Sequence, residues 1–374
     1  MARRGGPMMP RASNDRSPLM GDAPFDAPAG IETLGQRTAL AAETVSQRQF
    51  YGEYHGHPPA ALAEVVQSLR AQGKTLIWLA GDSSLDNKYW FHDTAPALNG
   101  YENILRPATM KQDVCYWVNK AAAERAAAGG SAAGPPLACV NTAIEATSLN
   151  DRACSKLWAQ DELIREHIGP DDILVVSVGG NDVALQPLCC TVCSMFALVY
   201  IPLPACVVQN CAIACPPNLG NVCDLGCLGC GVPNCISSVL CGCPLGFPYM
   251  VDMFKNRVGN YVRRLVSETK PKKVVICMIY YLDEKATGGW ADCALKCLCY
   301  DACPDRLQAG IEAAYYQGTS KIKIDGTEVS HILCTRFLLF WLTLPIAPTW
   351  KIRSCLFHCS KCSTARKQRT ICRE

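Results

Sequence analysis

The chain has 374 residues, 49% hydrophobic and 18% charged, with a net charge of +3 from 36 basic and 33 acidic side chains. This length allows two domains, or one α/β domain with extensions, and excludes a small scaffold held by disulfides alone. The near-neutral balance argues against a nucleic-acid partner, which needs an excess of Lys and Arg over a surface. No fixed-period repeat supports a solenoid or propeller.

Residues 1–30 carry Arg3, Arg4, Arg11 and Arg16 among prolines, glycines and alanines, without the apolar run of a signal peptide. They read as a disordered leader, and a cytoplasmic location is the expectation. Residues 31–72 read as a mostly helical extension, with Leu62, Val65, Val66 and Leu69 at helical spacing after Pro58-Pro59. Thr75 to Ala80, Ile173 to Val178 and Val274 to Tyr280 are short continuous apolar runs, the pattern of strands buried on both faces. Between them, Asp151 to His167 and Asp252 to Thr269 have amphipathic helical spacing. The alternation predicts a doubly wound α/β fold with a mostly parallel sheet, whose binding residues sit past the carboxyl ends of the strands.

Gly81-Asp82-Ser83-Ser84 follows the first of these strands, and a helix is expected from Asp86. A serine at a strand-to-helix turn has an exposed hydroxyl near a partly positive helix end, which suits a nucleophile whose attack builds an oxyanion. Without further support the tripeptide reads better as a tight turn whose Asp or Ser caps a helix. The strand at 173–178 ends in Gly179-Gly180-Asn181-Asp182, where an asparagine amide can donate to a developing oxyanion. Asn141-Thr142-Ala143 marks a further strand end between the two.

These motifs resemble those of the SGNH, or GDSL-type, hydrolases. Ser83 is similar to the family's first-block nucleophile, with Ser84 where leucine is usual. Gly179-Gly180-Asn181-Asp182 is similar to its third block. Asn141-Thr142-Ala143 resembles a degenerate second block, with Ala143 in place of the glycine. The resemblance covers about Gly73 to Val329 and implies a three-layer α/β/α sandwich with a flavodoxin-like sheet. It also implies cleavage of a carboxylic ester through an acyl-enzyme on Ser83, with an oxyanion hole from the Ser83 and Ala143 backbone N–H groups and the Asn181 side chain. Asp82, Gly180 and Asn141 would support the site, and no metal or organic cofactor would be required.

The family takes its base from a C-terminal DxxH motif. Of the six histidines, His331 in Asp325-Gly326-Thr327-Glu328-Val329-Ser330-His331 is the candidate, with Glu328, at the family's three-residue spacing, or Asp325 orienting it. Lys321 to Val329 reads equally well as a last strand. The alternative is therefore a fold of this type that lacks a working base and acts in binding or at a membrane.

Twelve of the 25 cysteines fall between Cys189 and Cys243, and Asp224 is the one charged residue from Val183 to Val251. This insertion, 188–245 within a hydrolase domain at 73–333, must bury apolar surface, bind metal, cross-link or meet a membrane. The pairs Cys190/Cys193 and Cys227/Cys230 have the CxxC spacing of zinc sites, but no histidine lies nearby, and no metal is assigned. A lid selecting a small-molecule or lipid-like ester, with peripheral membrane contact, is the expectation. Residues 334–374 read as an apolar and then basic tail, its Phe337 to Pro348 run too short to span a bilayer.

Overall fold

The structure is a computed structural model. It describes residues 44–129, 134–153, 156–184, 189–200, 203–217, 241–279, 296, 300 and 304–332. The expected leader and C-terminal tail lie outside these residues, as do Cys227 and Cys230.

Five strands build one parallel sheet: β1 Thr75–Gly81, β2 Leu137–Asn141, β3 Ile173–Ser177, β4 Lys273–Cys277 and β5 Glu328–Ile332. Their order is β5-β4-β3-β1-β2, all neighbours parallel. This is the flavodoxin-like arrangement, in which the chain steps to one side of β1 and then returns to the other, leaving a switch point between β1 and β3. Every residue of β1 to β4 after the first is buried. Consecutive strand residues face opposite ways, so both faces of the sheet are covered.

The helices are α1 Pro59–Ala71, α2 Val114–Gly129, α3 Leu149–Ala153, α4 Ala159–His167, α5 Gly180–Ala184, α6 Cys189–Tyr200, α7 Ala205–Cys211, α8 Phe247–Asp252, α9 Val258–Leu265 and α10 Pro304–Thr319. α1 starts with Pro59 at its first position, where the missing N–H costs nothing, and buries Leu62, Val65, Val66 and Leu69. Of the expected helical extension, residues 31–43 lie outside the described residues; from 44 on, the one-turn helix Gln47–Phe50 is followed by a loop to Pro58. The expected helix at 151–167 is two helices, α3 and α4. The one expected at 252–269 runs instead from α8 through the π-turn Met253–Arg257 into α9. At the amino end of the sheet, Asp172 ties the layers together by accepting from Arg70, Leu76 N and Trp78 Nε1.

Within the insertion, α6 and α7 form a pair bent by 117°, and no single helix among the described residues is long and apolar enough to cross a membrane. Proline at the start of α7 fixes the break, since Pro204 is its N-cap. Met195, Leu198 and Val199 are buried, Leu198 lying against Gly310 of α10, while Val192, Phe196 and Tyr200 face outward.

Candidate active site

The loops after β1 and β3 meet at the switch point. Gly81 and Ser177 are register partners, and a Cβ on Gly81 would stand 1.8 Å from the Ser177 carbonyl oxygen. Only glycine permits that approach, and its φ of +145° is one that other residues rarely adopt. The Asp82 N–H then donates to the Ser177 carbonyl at 3.1 Å, and the Asp82 carboxylate accepts from Ser84 N at 3.0 Å and Gly179 N at 3.1 Å. Burial raises the pKa of Asp82, with these N–H donors and Arg152 opposing it. The Ser84 hydroxyl donates to Ser177 Oγ at 2.7 Å, which gives this serine a polar partner.

This lattice of hydrogen bonds brings Ser83 to Asn181. The half-buried Ser83 hydroxyl donates to Asn181 Oδ1 at 3.5 Å, and Asn181 Nδ2 donates to the Thr147 carbonyl at 2.8 Å. An amide nitrogen has two hydrogens, so Asn181 retains a second donor. Among the described residues, the Ser83 N–H has no hydrogen-bond acceptor. Next to Asn181, Asp182 accepts from Leu149 N at 2.6 Å and Asn150 N at 3.2 Å, capping α3; burial pushes its pKa up to about 6. Gly180 begins α5, and a Cβ there would meet ordinary contact distances, so the space does not demand glycine.

Three expectations are corrected. First, no helix begins at Asp86. Residues 83–90 are turns and loop, because the buried Asp86 carboxylate accepts from Gly56 N at 2.8 Å, Glu145 N at 2.7 Å and Lys88 Nζ at 2.6 Å, which fixes the segment as a pinned loop. The electrostatic argument from a helix end at Ser83 falls with it.

Second, the Ala143 N–H is engaged by Asn141 Oδ1 at 3.1 Å, and Ala143 is buried. The residue in this turn with an open backbone is Ala146. It is the sole residue from 141 to 149 that is not fully buried, its φ is +57°, and its N–H has no acceptor among the described residues. Its neighbour Thr147 is the one that holds Asn181. Asn141 closes the turn from beneath, donating to the Leu85 carbonyl at 2.9 Å.

Third, His331 does not approach Ser83. It lies on β5, level across the sheet with Ile276, Val176 and Ala80. Three strand spacings of about 4.8 Å separate it from β1, roughly 14 Å, against the ~3 Å of a proton transfer. Residues three apart on a strand point to opposite faces, so Glu328 does not orient His331 either. Glu328 instead accepts from Lys273 Nζ at 2.6 Å at the far end of the sheet, and Asp325 lies exposed before the strand. Lys273 accordingly lowers the pKa of Glu328, while burial lowers that of His331. The alternative reading of this segment as a last strand is the one the fold adopts, shifted to 328–332.

The loop 51–58 contributes groups that the sequence did not flag. Tyr54 OH donates to Glu145 Oε1 at 3.4 Å, and His55 Nδ1 lies 3.0 Å from the Glu145 carbonyl. The fully buried His57 bonds the Phe50 carbonyl at 2.6 Å, and burial with the Lys88 charge lowers its pKa to about 3, so it stays neutral. His92 is exposed in a loop and His167 is exposed at the end of α4. Among the described residues, no group of three or more His, Cys, Asp or Glu side chains forms a metal site.

No protein-family model matches the chain, and no curated protein matches it. Among solved structures, the extracellular lipase from Streptomyces rimosus is similar over 70% of this chain and 82% of that one, at 11% identity and a TM-score of 0.29. A likeness of that size leaves the fold to be argued from this chain's own strand order, and the function from its own site.

Proposed function

We propose that the chain is an ester hydrolase of the SGNH type, an α/β/α sandwich that cleaves a carboxylic ester through an acyl-enzyme on Ser83. The observation that carries the reading is the meeting of Ser83 and Asn181, from two different loops, at the switch point of a flavodoxin-like sheet. In the reaction Ser83 Oγ bonds to the ester carbonyl carbon as its proton passes to a solvent base, since among the described residues its side-chain partner is the amide oxygen of Asn181. The carbonyl oxygen becomes an oxyanion held by the N–H groups of Ser83 and Ala146 and the second Asn181 amide hydrogen. Collapse expels the alcohol, and water repeats the sequence on the acyl group. Ala146 replaces Ala143 in this scheme because its donor is open. The outward Val192, Phe196 and Tyr200 of α6 suit a lipid-like substrate or a peripheral membrane contact.

A second reading, a fold of this type without a working base, is favoured by the position of His331 on the edge strand. Hydrolysis of p-nitrophenyl esters of increasing acyl length separates the two. The hydrolase reading expects turnover by the folded chain that Ser83→Ala abolishes. Equal rates for both proteins would refute it, and no turnover by either would favour the second reading.

A further inference from the structure

In the loop that follows Ser83 and the loop 51–58, three exposed aromatic rings pack in a row, and Tyr54 at one end of it bonds a buried carboxyl. Tyr54 and Tyr89 stand edge to face at 4.9 Å and 86°, and Tyr89 and Trp90 at 5.3 Å and 86°. The Tyr54 hydroxyl donates to Glu145 Oε1 at 3.4 Å. His55 packs against the open side of Tyr54 at 4.8 Å and 80°. The rings are 36% to 53% exposed while Glu145 is 95% buried, and Glu145 Oε2 lacks a hydrogen bond of ordinary geometry. A buried carboxyl with an acceptor that has no protein donor, next to exposed rings set at right angles to one another, is an arrangement that ring quadrupoles and one negative charge make attractive to an organic cation.

We propose that Tyr54, Tyr89, Trp90 and Glu145 form a binding site for an alkylated ammonium group, the rings facing its methyl groups and Glu145 balancing its charge. The charges beneath do not compete for the ligand. Asp86 and Lys88 are both buried and paired with each other at 2.6 Å, and Asp82 is held by backbone donors. A sugar would stack on one flat face and needs several rim donors, whereas these rings stand perpendicular to one another beside one acceptor. Burial, aided by Asp86, holds the Glu145 pKa at about 7, with Trp90 and Lys88 pulling it down, so a bound cation favours the ionised form and releases a proton near neutrality. Tyr54 and His55, the other titratable groups facing this carboxyl, contribute a hydroxyl to its Oε1 and a ring to its backbone carbonyl. The site is read by binding alone and does not depend on the hydrolase reading.

The test is titration of the full chain with tetramethylammonium chloride at constant ionic strength, followed by calorimetry and tryptophan fluorescence. Saturable binding is expected, about tenfold tighter at pH 8 than at pH 6, because the ionised fraction of a group near pKa 7 changes by about that factor. Glu145→Gln removes the pH dependence and weakens binding, and the surface change Trp90→Ala weakens binding roughly fivefold or more. The proposal is overturned by the absence of saturable binding, by equal binding of the uncharged isostere 3,3-dimethylbutanol, or by methyl glucoside binding in place of the cation.

Discussion

Arg152 is the sharpest point at which to perturb the site. It is fully buried, and all of its donors are used: Nη1 reaches both Asp161 oxygens at 2.6 and 2.8 Å and the Tyr261 hydroxyl at 2.8 Å. Nη2 donates to the Gly81 carbonyl at 2.8 Å and to Thr147 Oγ1 at 2.9 Å, and Nε reaches the same Oγ1 at 3.3 Å. One guanidinium thus fixes the residue before Asp82-Ser83 and the residue whose carbonyl holds Asn181. Arg152→Met strands the Asp161 charge with the Tyr261 hydroxyl as its donor, at a cost of about 3–5 kcal/mol. For a chain of this size that lowers Tm by on the order of 5–10 °C. Arg152→Met with Asp161→Leu removes the stranded charge and recovers much of that loss. In both variants the Gly81 carbonyl loses the Arg152 donor and keeps only the Ile144 N–H at 2.9 Å, and Thr147 loses its tie to the same guanidinium, so the reaction of Ser83 with a fluorophosphonate slows by roughly tenfold or more in both, as expected for a misplaced reacting group. Stability by thermal melting and labelling rate by gel fluorescence are measured on the same samples. A single variant that loses less than about 1 kcal/mol, or a double variant that labels at the native rate, refutes the reasoning.

Two further outcomes follow from the site and its surroundings. Asn181→Ala lowers kcat for ester turnover about 10²- to 10³-fold and leaves KM within a few-fold, because the amide acts on the oxyanion and not on the bound ester; a loss confined to KM would contradict that role. Asp113 is fully buried with Oδ2 unpaired, and burial above all pushes its pKa up to about 7, the Tyr116 N–H opposing and the Asp86 charge adding. The folded state therefore binds more protons than the unfolded chain between about pH 4 and 7. Stability falls as pH rises through that window and levels off above it, with a ceiling on the order of 4 kcal/mol. Asp113→Asn flattens the fall of Tm between pH 5 and 7.5, and superimposable profiles for the two proteins would refute it.

The strands β1, β3 and β4 are legible because a strand buried on both faces must be a continuous apolar run, and the first two run on into glycines. Ser83 and Asn181 are legible for the same reason, since strand ends announce where the loops meet. The missing helix at Asp86 is not, because what prevents it is two distant partners, Gly56 and Glu145, closing with the nearby Lys88 on one carboxylate. Ala146 carried no signal, as a left-handed backbone is read from sequence through glycine and this residue is alanine. The Glu328 and His331 spacing misled because three residues bring side chains to one face on a helix and to opposite faces on a strand. The loop 51–58 gave no sign that it returns to Glu145, a contact some 90 residues away in sequence.

The central claim is an activated Ser83 that does not depend on His331. It is tested most directly by treating the full chain with a fluorophosphonate probe and mapping the modified residue by mass spectrometry in the native protein, Ser83→Ala and His331→Ala. The account predicts modification at Ser83, none in Ser83→Ala, and an unchanged rate in His331→Ala. Modification at another residue, or a folded native chain that stays unlabelled, would contradict it.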